Sequence, residues 1–182
     1  PGGTTPGPVF DTMSAVDLDW SRVRVLLSDE RWVPEDHPRS NTTLVRDRLL
    51  TGHAAHAQMV PLFIEGATPH EALARLTLAL EPELPLHVCL LGMGADMHTA
   101  SLFPGAPGLE AALGEDAPVL SVQVPKDQPE ARVTLSARVL RDASALHVVI
   151  TGDDKKAAVH RAADLPPQRA PIAAVLDQAE VH

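Results

Sequence analysis

The sequence has a single cysteine and no excess of positive charge, and both features exclude classes of protein. Cys89 lies alone inside an apolar run, which excludes an intrachain disulfide and indicates a small buried hydrophobic residue in a reducing compartment. The formal net charge of −9 disfavours nucleic acid or an anionic membrane surface as a partner. No apolar stretch reaches transmembrane length and no signal peptide is visible, so we expect a cytoplasmic protein without membrane contact.

Several common ligand and nucleophile motifs are absent or incomplete. Residues 92–97 begin the dinucleotide pattern G-x-G-x-x-G, but Met97 stands where the third glycine belongs. The glycine-rich residues 2–5 have no Gly-Lys-Ser/Thr ending, and no G-x-S-x-G nucleophile elbow occurs. His53 and His56 have metal-compatible spacing without an acidic or cysteine partner beside them. We therefore predict that His53 and His56 are exposed loop residues. The incomplete motifs argue against a nucleotide-binding site and against serine hydrolase chemistry.

The length and composition predict one globular α/β domain spanning residues 1–182. Of its 182 residues, 45% are apolar and 21% are charged, which suffices to bury a substantial core. Runs typical of buried strands alternate with helical segments, and this alternation predicts a doubly wound, mostly parallel sheet. The predicted strands are residues 23–27, 60–64, 86–91, 119–124, 132–136, 146–150 and 172–176; the predicted helices include residues 42–50, 99–103 and a segment opened by a Thr68–Glu71 capping box.

Polar residues follow three of the predicted strands at their carboxyl ends. The central stretch, residues 86–105, reads LHVCLLGMGADMHTASLFPG and places a glycine turn and an Asp-x-His pair directly after a buried strand. Charged groups also follow other strands at residues 29–31 and 152–155. Because ligands of open α/β sheets bind at the carboxyl ends of the strands, these three clusters predict one binding site.

Each chemically promising group also has a structural interpretation. His98, two residues after Asp96 in a glycine-rich loop, is either a general acid/base or a hydrogen-bonded structural histidine. Arg31 either binds a carboxylate or phosphate in a bidentate fork or belongs to a solvated loop. Residues 2–5 either form a nest of backbone N–H groups and hydroxyls for phosphate or are a flexible tail.

Five segments together resemble one enzyme family. They read GGTTP, SDERWVPEDHPRSN, LLGMGADMHTASLFPG, RVTLS and GDDKKA, and their order and content are similar to those of 6-phosphogluconolactonases. Related glucosamine-6-phosphate deaminases carry DEY and a HIAFNEPG-like segment, which this chain lacks. Met97 departs from the family, which usually has glycine there. Family members also have a strand and a helix before the GG loop, so the resemblance implies that this sequence lacks them and ends slightly short.

The resemblance implies a three-layer sandwich of the NagB/RpiA/CoA transferase-like class and a reaction without metal or cofactor. That reaction is hydrolysis of 6-phospho-D-glucono-1,5-lactone to 6-phosphogluconate in the oxidative pentose phosphate pathway. His98 is the implied proton-transfer residue, and either Asp29 or Asp96 orients its imidazole. Backbone N–H groups of the glycine turn, or of the helix after it, are candidates for stabilising the oxyanion. The substrate-binding candidates are Gly3, Thr4, Thr5, Arg31, Gly92, Gly94, Arg132 and Lys155.

Two other functions remain open on sequence alone. One is a related sugar-phosphate deaminase or isomerase. A deaminase would release ammonia from glucosamine 6-phosphate. The other is a non-catalytic sugar-phosphate-binding module, which would bind ligand tightly without turnover. For all three functions the expected partner is a small phosphorylated sugar, and we expect a monomer or a weak homodimer.

Overall fold

A computed structural model describes residues 2–126 and 128–182, which form alternating strands and helices. In chain order the elements are α1 (Gly7–Ser14), β1 (Arg24–Leu26), β2 (Asp29–Arg31), α2 (Asn41–Arg48), β3 (Gln58–Val60), α3 (Pro69–Leu80), β4 (Val88–Leu91), α4 (Leu109–Leu113), β5 (Leu120–Gln123), β6 (Arg132–Leu135), α5 (Ala137–Arg141), β7 (Ala145–Val148), α6 (Asp153–Ala162), α7 (Ala173–Leu176) and β8 (Ala179–Val181). Short 3-10 turns cover Trp20–Arg22, Gly52–His56 and Glu81–Glu83.

The strands form three hydrogen-bonded ladders, two of them parallel. β1 pairs with β3, and β4 pairs with β7, which in turn pairs with β8, all in parallel. β6 lies between β2 and β5 and is antiparallel to both. The α/β class with mostly parallel pairing is confirmed, but the described strands form separate ladders where the sequence suggested one sheet. The buried charged residues Asp29, Glu30 and Arg132 all lie on the antiparallel ladder.

Helices and loops cover these ladders with apolar side chains. The buried residues of α3 are Ala72, Leu76 and Leu80, one every four positions, as an amphipathic helix requires. Its predicted capping box is confirmed, because the Thr68 side chain accepts from the Glu71 amide and the Glu71 carboxylate accepts from the Thr68 amide. No helix in residues 2–126 and 128–182 is both long and apolar enough to cross a membrane.

Cys89 is part of this core, as predicted. The residue is 5% exposed on β4, and burial raises the pKa of its thiol to about 11. The thiolate, which is the reactive form, is therefore scarce at neutral pH.

A groove of about 1060 Å³ lies between the two parallel ladders. Within the described chain β1 pairs only with β3, and β4 pairs only with β7, so one edge of each strand faces the groove. Its walls are largely apolar and include Val25, Leu27, Leu86 and Leu90.

Three predicted elements are wrong, each for a local physical reason. The strand expected over residues 172–176 is instead the short helix α7 (Ala173–Leu176), because a five-residue apolar run does not distinguish a strand from a helix. The strand expected over residues 60–64 ends at Val60, before a proline that has no amide proton to donate. The helix expected over residues 99–103 is a turn, since Met97 and Ala100 have φ of 66° and 49°, outside the right-handed helical region.

The charged residues 29–31 form strand β2 and are not a solvated loop. Alternation along the strand sends Asp29 and Arg31 to one face, where both line a cavity, and sends Glu30 to the other. In the register with β6, Arg31 lies opposite Arg132. The extended chain therefore presents two of its three adjacent charges to one site.

The side chain of Glu30, on β2, forms hydrogen bonds with the first residues of α2 and with its N-cap. Its side chain is 0% exposed, and its carboxylate accepts hydrogen bonds from the amides of Asn41 and Thr42 at 2.7 and 2.8 Å. The hydroxyls of Thr42 and Ser40 donate to it at 2.9 and 3.0 Å. Ser40 is the N-cap of α2, so the carboxylate also lies at the positive end of the helix.

We expect Glu30→Ala to lower the free energy of unfolding by about 3–5 kcal/mol, because several buried donors lose their acceptor together. Urea unfolding followed by circular dichroism measures the change. Glu65→Ala is the control: Glu65 is exposed, so its replacement should change stability by no more than about 0.5 kcal/mol. A loss below about 1 kcal/mol in Glu30→Ala would contradict the role of Glu30.

Candidate active site

One cavity of about 310 Å³ gathers the residues that the sequence singled out. Among the sequence-predicted catalytic and substrate-binding residues, all line it except Asp96, which instead contacts His98. Those that line it are Gly3, Thr4, Thr5, Asp29, Arg31, Gly92, Gly94, His98, Arg132 and Lys155. The three polar strand-end clusters therefore meet at one place.

The loop after β4 brings His98 back over the glycine turn. The Gly94 amide donates to the carbonyl of His98 at 2.9 Å, and the Met97 amide donates to the Gly94 carbonyl at 3.0 Å. A Cβ at position 94 would overlap the His98 ring and the Asp96 carboxylate, so this close approach requires glycine. Met97 has the left-handed φ of 66°, a conformation that glycine adopts most readily and that costs other residues about 1–2 kcal/mol.

Asp96 is the carboxylate that holds the His98 imidazole. Its Oδ1 lies 2.5 Å from His98 Nδ1 and also accepts from the His98 amide at 3.2 Å. Burial alone would raise the pKa of Asp96, but hydrogen bonds and the charge of His98 outweigh burial and lower it. An ionised Asp96 accepts the proton on Nδ1, which leaves Nε2 as the basic nitrogen of the neutral imidazole.

Asp29 is held separately by two hydroxyls. It is 6% exposed, and its two oxygens accept from Ser28 Oγ at 3.0 Å and from Ser101 Oγ at 2.6 Å. Ser101 was expected to be an ordinary helix residue, but it is fully buried and supports the site. A carboxylate has about four acceptor positions, so Asp29 keeps capacity for a ligand hydroxyl in the cavity.

Arg31 and Arg132 form a positive wall of the cavity. Arg31 Nη1 donates to the Arg39 carbonyl at 2.7 Å, and Arg132 Nη2 donates to the side chain of Gln128. Among the described residues neither Nε has a hydrogen-bond partner, although both are buried. Burial first, and then the charge of Arg31, lowers the pKa of Arg132. Two like charges beside unpaired buried donors are the features of a site for an anion.

The remaining cation and the amino-terminal loop complete this wall. Lys155 lies in the first turn of α6, and residues 3–5 precede the first turn of α1. Gly2 packs against the Asn41 side chain, whose Nδ2 donates to the Asp29 carbonyl at 2.8 Å. This contact places the loop beside the site and argues against a free tail.

Phe103 links the two ends of the site, a role that sequence reasoning missed. Its ring lies 4.6 Å from the His98 ring between centroids, and Arg132 Cζ lies 5.9 Å from the Phe103 centroid. Phe103 lies in the segment LLGMGADMHTASLFPG, which resembles the enzyme family, but the sequence alone indicated no role for this residue. Gln128 had no comparable signal, because it lies in a polar loop.

Comparison with known proteins decides the family. The family model described as glucosamine-6-phosphate isomerases/6-phosphogluconolactonase matches residues 1–182. The chain belongs to this family. A 6-phosphogluconolactonase of Caulobacter vibrioides is 39% identical over 97% of this chain and 76% of its own length. A 6-phosphogluconolactonase of Mesorhizobium japonicum is 42% identical over 98% of this chain and 75% of its own length.

Solved structures agree with the family at the level of fold. A 6-phosphogluconolactonase from Shewanella baltica has a TM-score of 0.89 and 34% identity, with 99% of this chain and 79% of that chain covered. A monomeric glucosamine-6-phosphate deaminase has a TM-score of 0.78 at 16% identity, with 99% of this chain and 80% of that chain covered. The second likeness shows the fold alone.

We expect inorganic phosphate to stabilise the protein through the arginine wall. At a concentration ten times its Kd, phosphate should add about 1.4 kcal/mol, equivalent to a rise of about 3–6 °C in Tm. Thermal unfolding measures the shift, which Arg132→Gln should remove. Arg22→Gln, at an exposed arginine outside the cavity, should keep it. An undiminished shift in Arg132→Gln would contradict the assignment.

Proposed function

We propose that this chain hydrolyses 6-phospho-D-glucono-1,5-lactone to 6-phospho-D-gluconate in the oxidative pentose phosphate pathway. The observation that carries the proposal is the cavity itself, in which a carboxylate-held imidazole and a positive wall occur together. Relatives named 6-phosphogluconolactonase at 39–42% identity support the choice of substrate. The cytoplasmic location and the monomeric or weakly dimeric state stay predictions.

The positive wall binds the phosphate in this proposal. Arg31, Arg132 and Lys155 supply charge, and residues 3–5 supply amides and hydroxyls. Such local charge is needed because the chain as a whole carries a formal charge of −9. Asp29 then accepts a hydrogen bond from a sugar hydroxyl, which helps to orient the lactone ring.

His98 transfers the proton in this proposal. Nε2 takes a proton from water as the water oxygen bonds to C1, and the carbonyl becomes a tetrahedral oxyanion. When the bond between C1 and the ring oxygen breaks, the imidazolium returns the proton to that oxygen, which becomes a hydroxyl. The new carboxylic acid then ionises in solvent. General acid/base catalysis of this kind contributes about 10²–10⁴-fold, and Asp96 positions the ring throughout.

The sequence left the oxyanion donors open between the amides of the Gly92–Gly94 turn and those of a following helix, and we narrow that choice to part of the turn. The Gly94 amide is already bonded to the His98 carbonyl, and no helix starts directly after His98. We therefore assign the oxyanion to the amides of Gly92 and Met93 at the end of β4. Gly94 serves the reaction by leaving room for the imidazole.

A coupled assay tests the proposal. Glucose-6-phosphate dehydrogenase generates the lactone in place, and its disappearance is compared with the spontaneous rate. Acceleration proportional to protein concentration is the expected result. Phosphate binding without acceleration would indicate a non-catalytic module, and ammonia release from glucosamine 6-phosphate would indicate a deaminase.

We expect His98→Ala to lower kcat for lactone hydrolysis by about 10²–10⁴-fold, with KM changed little, because the wall that binds phosphate is intact. Stopped-flow detection of the released acid measures both constants. His53→Ala is the control, since His53 is an exposed residue of the Gly52–His56 turn. Near-normal turnover in His98→Ala would refute the assignment of the base.

Gly94→Ala should also lower kcat, by at least about tenfold, because the added methyl group displaces the imidazole and its carboxylate partner. The same assay measures the rate, and thermal unfolding checks that the variant is folded. Gly114→Ala provides the comparison, because a Cβ there meets only ordinary contacts at 3.8 Å. Full activity in Gly94→Ala would show that the loop adapts without cost.

A further inference from the structure

We propose that His147, Glu180 and His182 form a binding site for one divalent transition-metal ion, with Zn²⁺ as the best-suited ion. His147 lies on β7 and Glu180 on β8, and His182 directly follows β8. None of the three lines the candidate active-site cavity, whereas His147 and His182 line one end of the groove between the two parallel ladders. Their ligand atoms lie within 4.8 Å of one another, and within residues 2–126 and 128–182 no other group of three potential metal ligands meets this condition.

The strand register brings the three side chains to one face. His147 is the direct cross-strand partner of Glu180. His182 follows Glu180 by two residues, so alternation along the extended chain returns it to the same side. Backbone bonds hold the end of this ladder, because the His182 amide donates to the Val148 carbonyl at 2.9 Å and the Ile150 amide donates to the His182 carbonyl at 3.1 Å.

The distances between ligand atoms match those of a tetrahedral site. His147 Nδ1 lies 3.1 Å from His182 Nε2, and Glu180 Oε2 lies 3.7 and 3.9 Å from these two nitrogens. Zinc bonds of about 2.0–2.1 Å to nitrogen and oxygen imply separations of about 3.3 Å between ligands in a tetrahedron. The histidines already meet this spacing, and the exposed Glu180 needs to move by about half an ångström.

The chemistry of the three groups favours transition-metal ions over Mg²⁺ and Ca²⁺. Two imidazoles and one carboxylate suit Zn²⁺, Co²⁺, Ni²⁺ and Cu²⁺, whereas Mg²⁺ and Ca²⁺ prefer oxygen ligands only. Three protein ligands leave one tetrahedral position for water. The side chains of His147, Glu180 and His182 are 30%, 75% and 52% exposed, so an ion reaches them from solvent.

The bound ion would link β7 to the segment that contains β8. β8 has three residues and pairs with β7 alone in the described chain, so few hydrogen bonds hold it. Metal binding to the folded arrangement stabilises that arrangement, since the unfolded chain does not present the three ligands together. The site is therefore structural, and the proposal does not depend on the reaction assigned to the cavity.

Metal titration of the chelator-treated, tag-free protein tests the site. Co²⁺ should bind with a stoichiometry of one and give the visible absorption of a tetrahedral complex, and Zn²⁺ should displace it. His147→Ala and His182→Ala should each weaken Zn²⁺ binding at least tenfold by calorimetry, and Glu180→Gln should weaken it less. His56→Ala, at an exposed histidine elsewhere, should bind as the parent protein does.

The effect on the strand provides a second measurement. Zn²⁺ should slow amide hydrogen exchange in β7 and β8, and this protection should be lost in His147→Ala. Lactone hydrolysis should stay the same with and without the ion. Absent binding, binding of several equivalents, or binding unaffected by the His147 and His182 variants would each overturn the proposal.

Discussion

The site depends on the buried carboxylate of Glu30. This side chain has no exposure, and it joins strand β2 to the amino terminus of α2 through hydrogen bonds to backbone and hydroxyl donors. A buried charge is costly unless it is fully hydrogen-bonded, and here the helix terminus and its N-cap supply the donors. Because Glu30 is fixed, its neighbours Asp29 and Arg31 are fixed as well, and both are presented to the cavity.

Two different structural arrangements position the proposed acid/base group, His98, and the cations of the positive wall. The imidazole of His98 is set by local chain geometry: a glycine too close to it for any side chain, a left-handed Met97, and a carboxylate two residues away. The guanidiniums of Arg31 and Arg132 are set by strand pairing between distant segments. Phe103 contacts both groups, so the two halves of the cavity share one apolar support.

Local features, the α/β class and the meeting of the strand-end clusters in one cavity could be predicted, but the individual contacts that depend on tertiary structure could not. The capping box of α3 depends on residues 68–71 alone, and it is found as expected. Residues 172–176 are apolar in either a strand or a helix, and packing selects the helix. Spacing in the central loop identified Asp96 and His98, but the choice between Asp29 and Asp96 required the distance of 2.5 Å. Ser101 gave no signal because its partner Asp29 is 72 positions away in the sequence. Gln128 gave none because it lies in a polar loop, although its partner Arg132 is only four positions away.

The pleat of β2 has a consequence for how this segment tolerates change. Three consecutive charged residues serve opposite faces of one three-residue strand, so the side on which each lies depends only on whether its position is odd or even. A single-residue insertion between β1 and β2 that shifted the register by one would turn Glu30 into the cavity and send Asp29 and Arg31 into the protein interior. Substitutions in this strand alter one group at a time, but a register shift of one residue exchanges the interior and cavity-facing positions together. A one-residue shift of register through the short connection before residue 29 is therefore more damaging than a single substitution in the strand, even though the connection is only a loop.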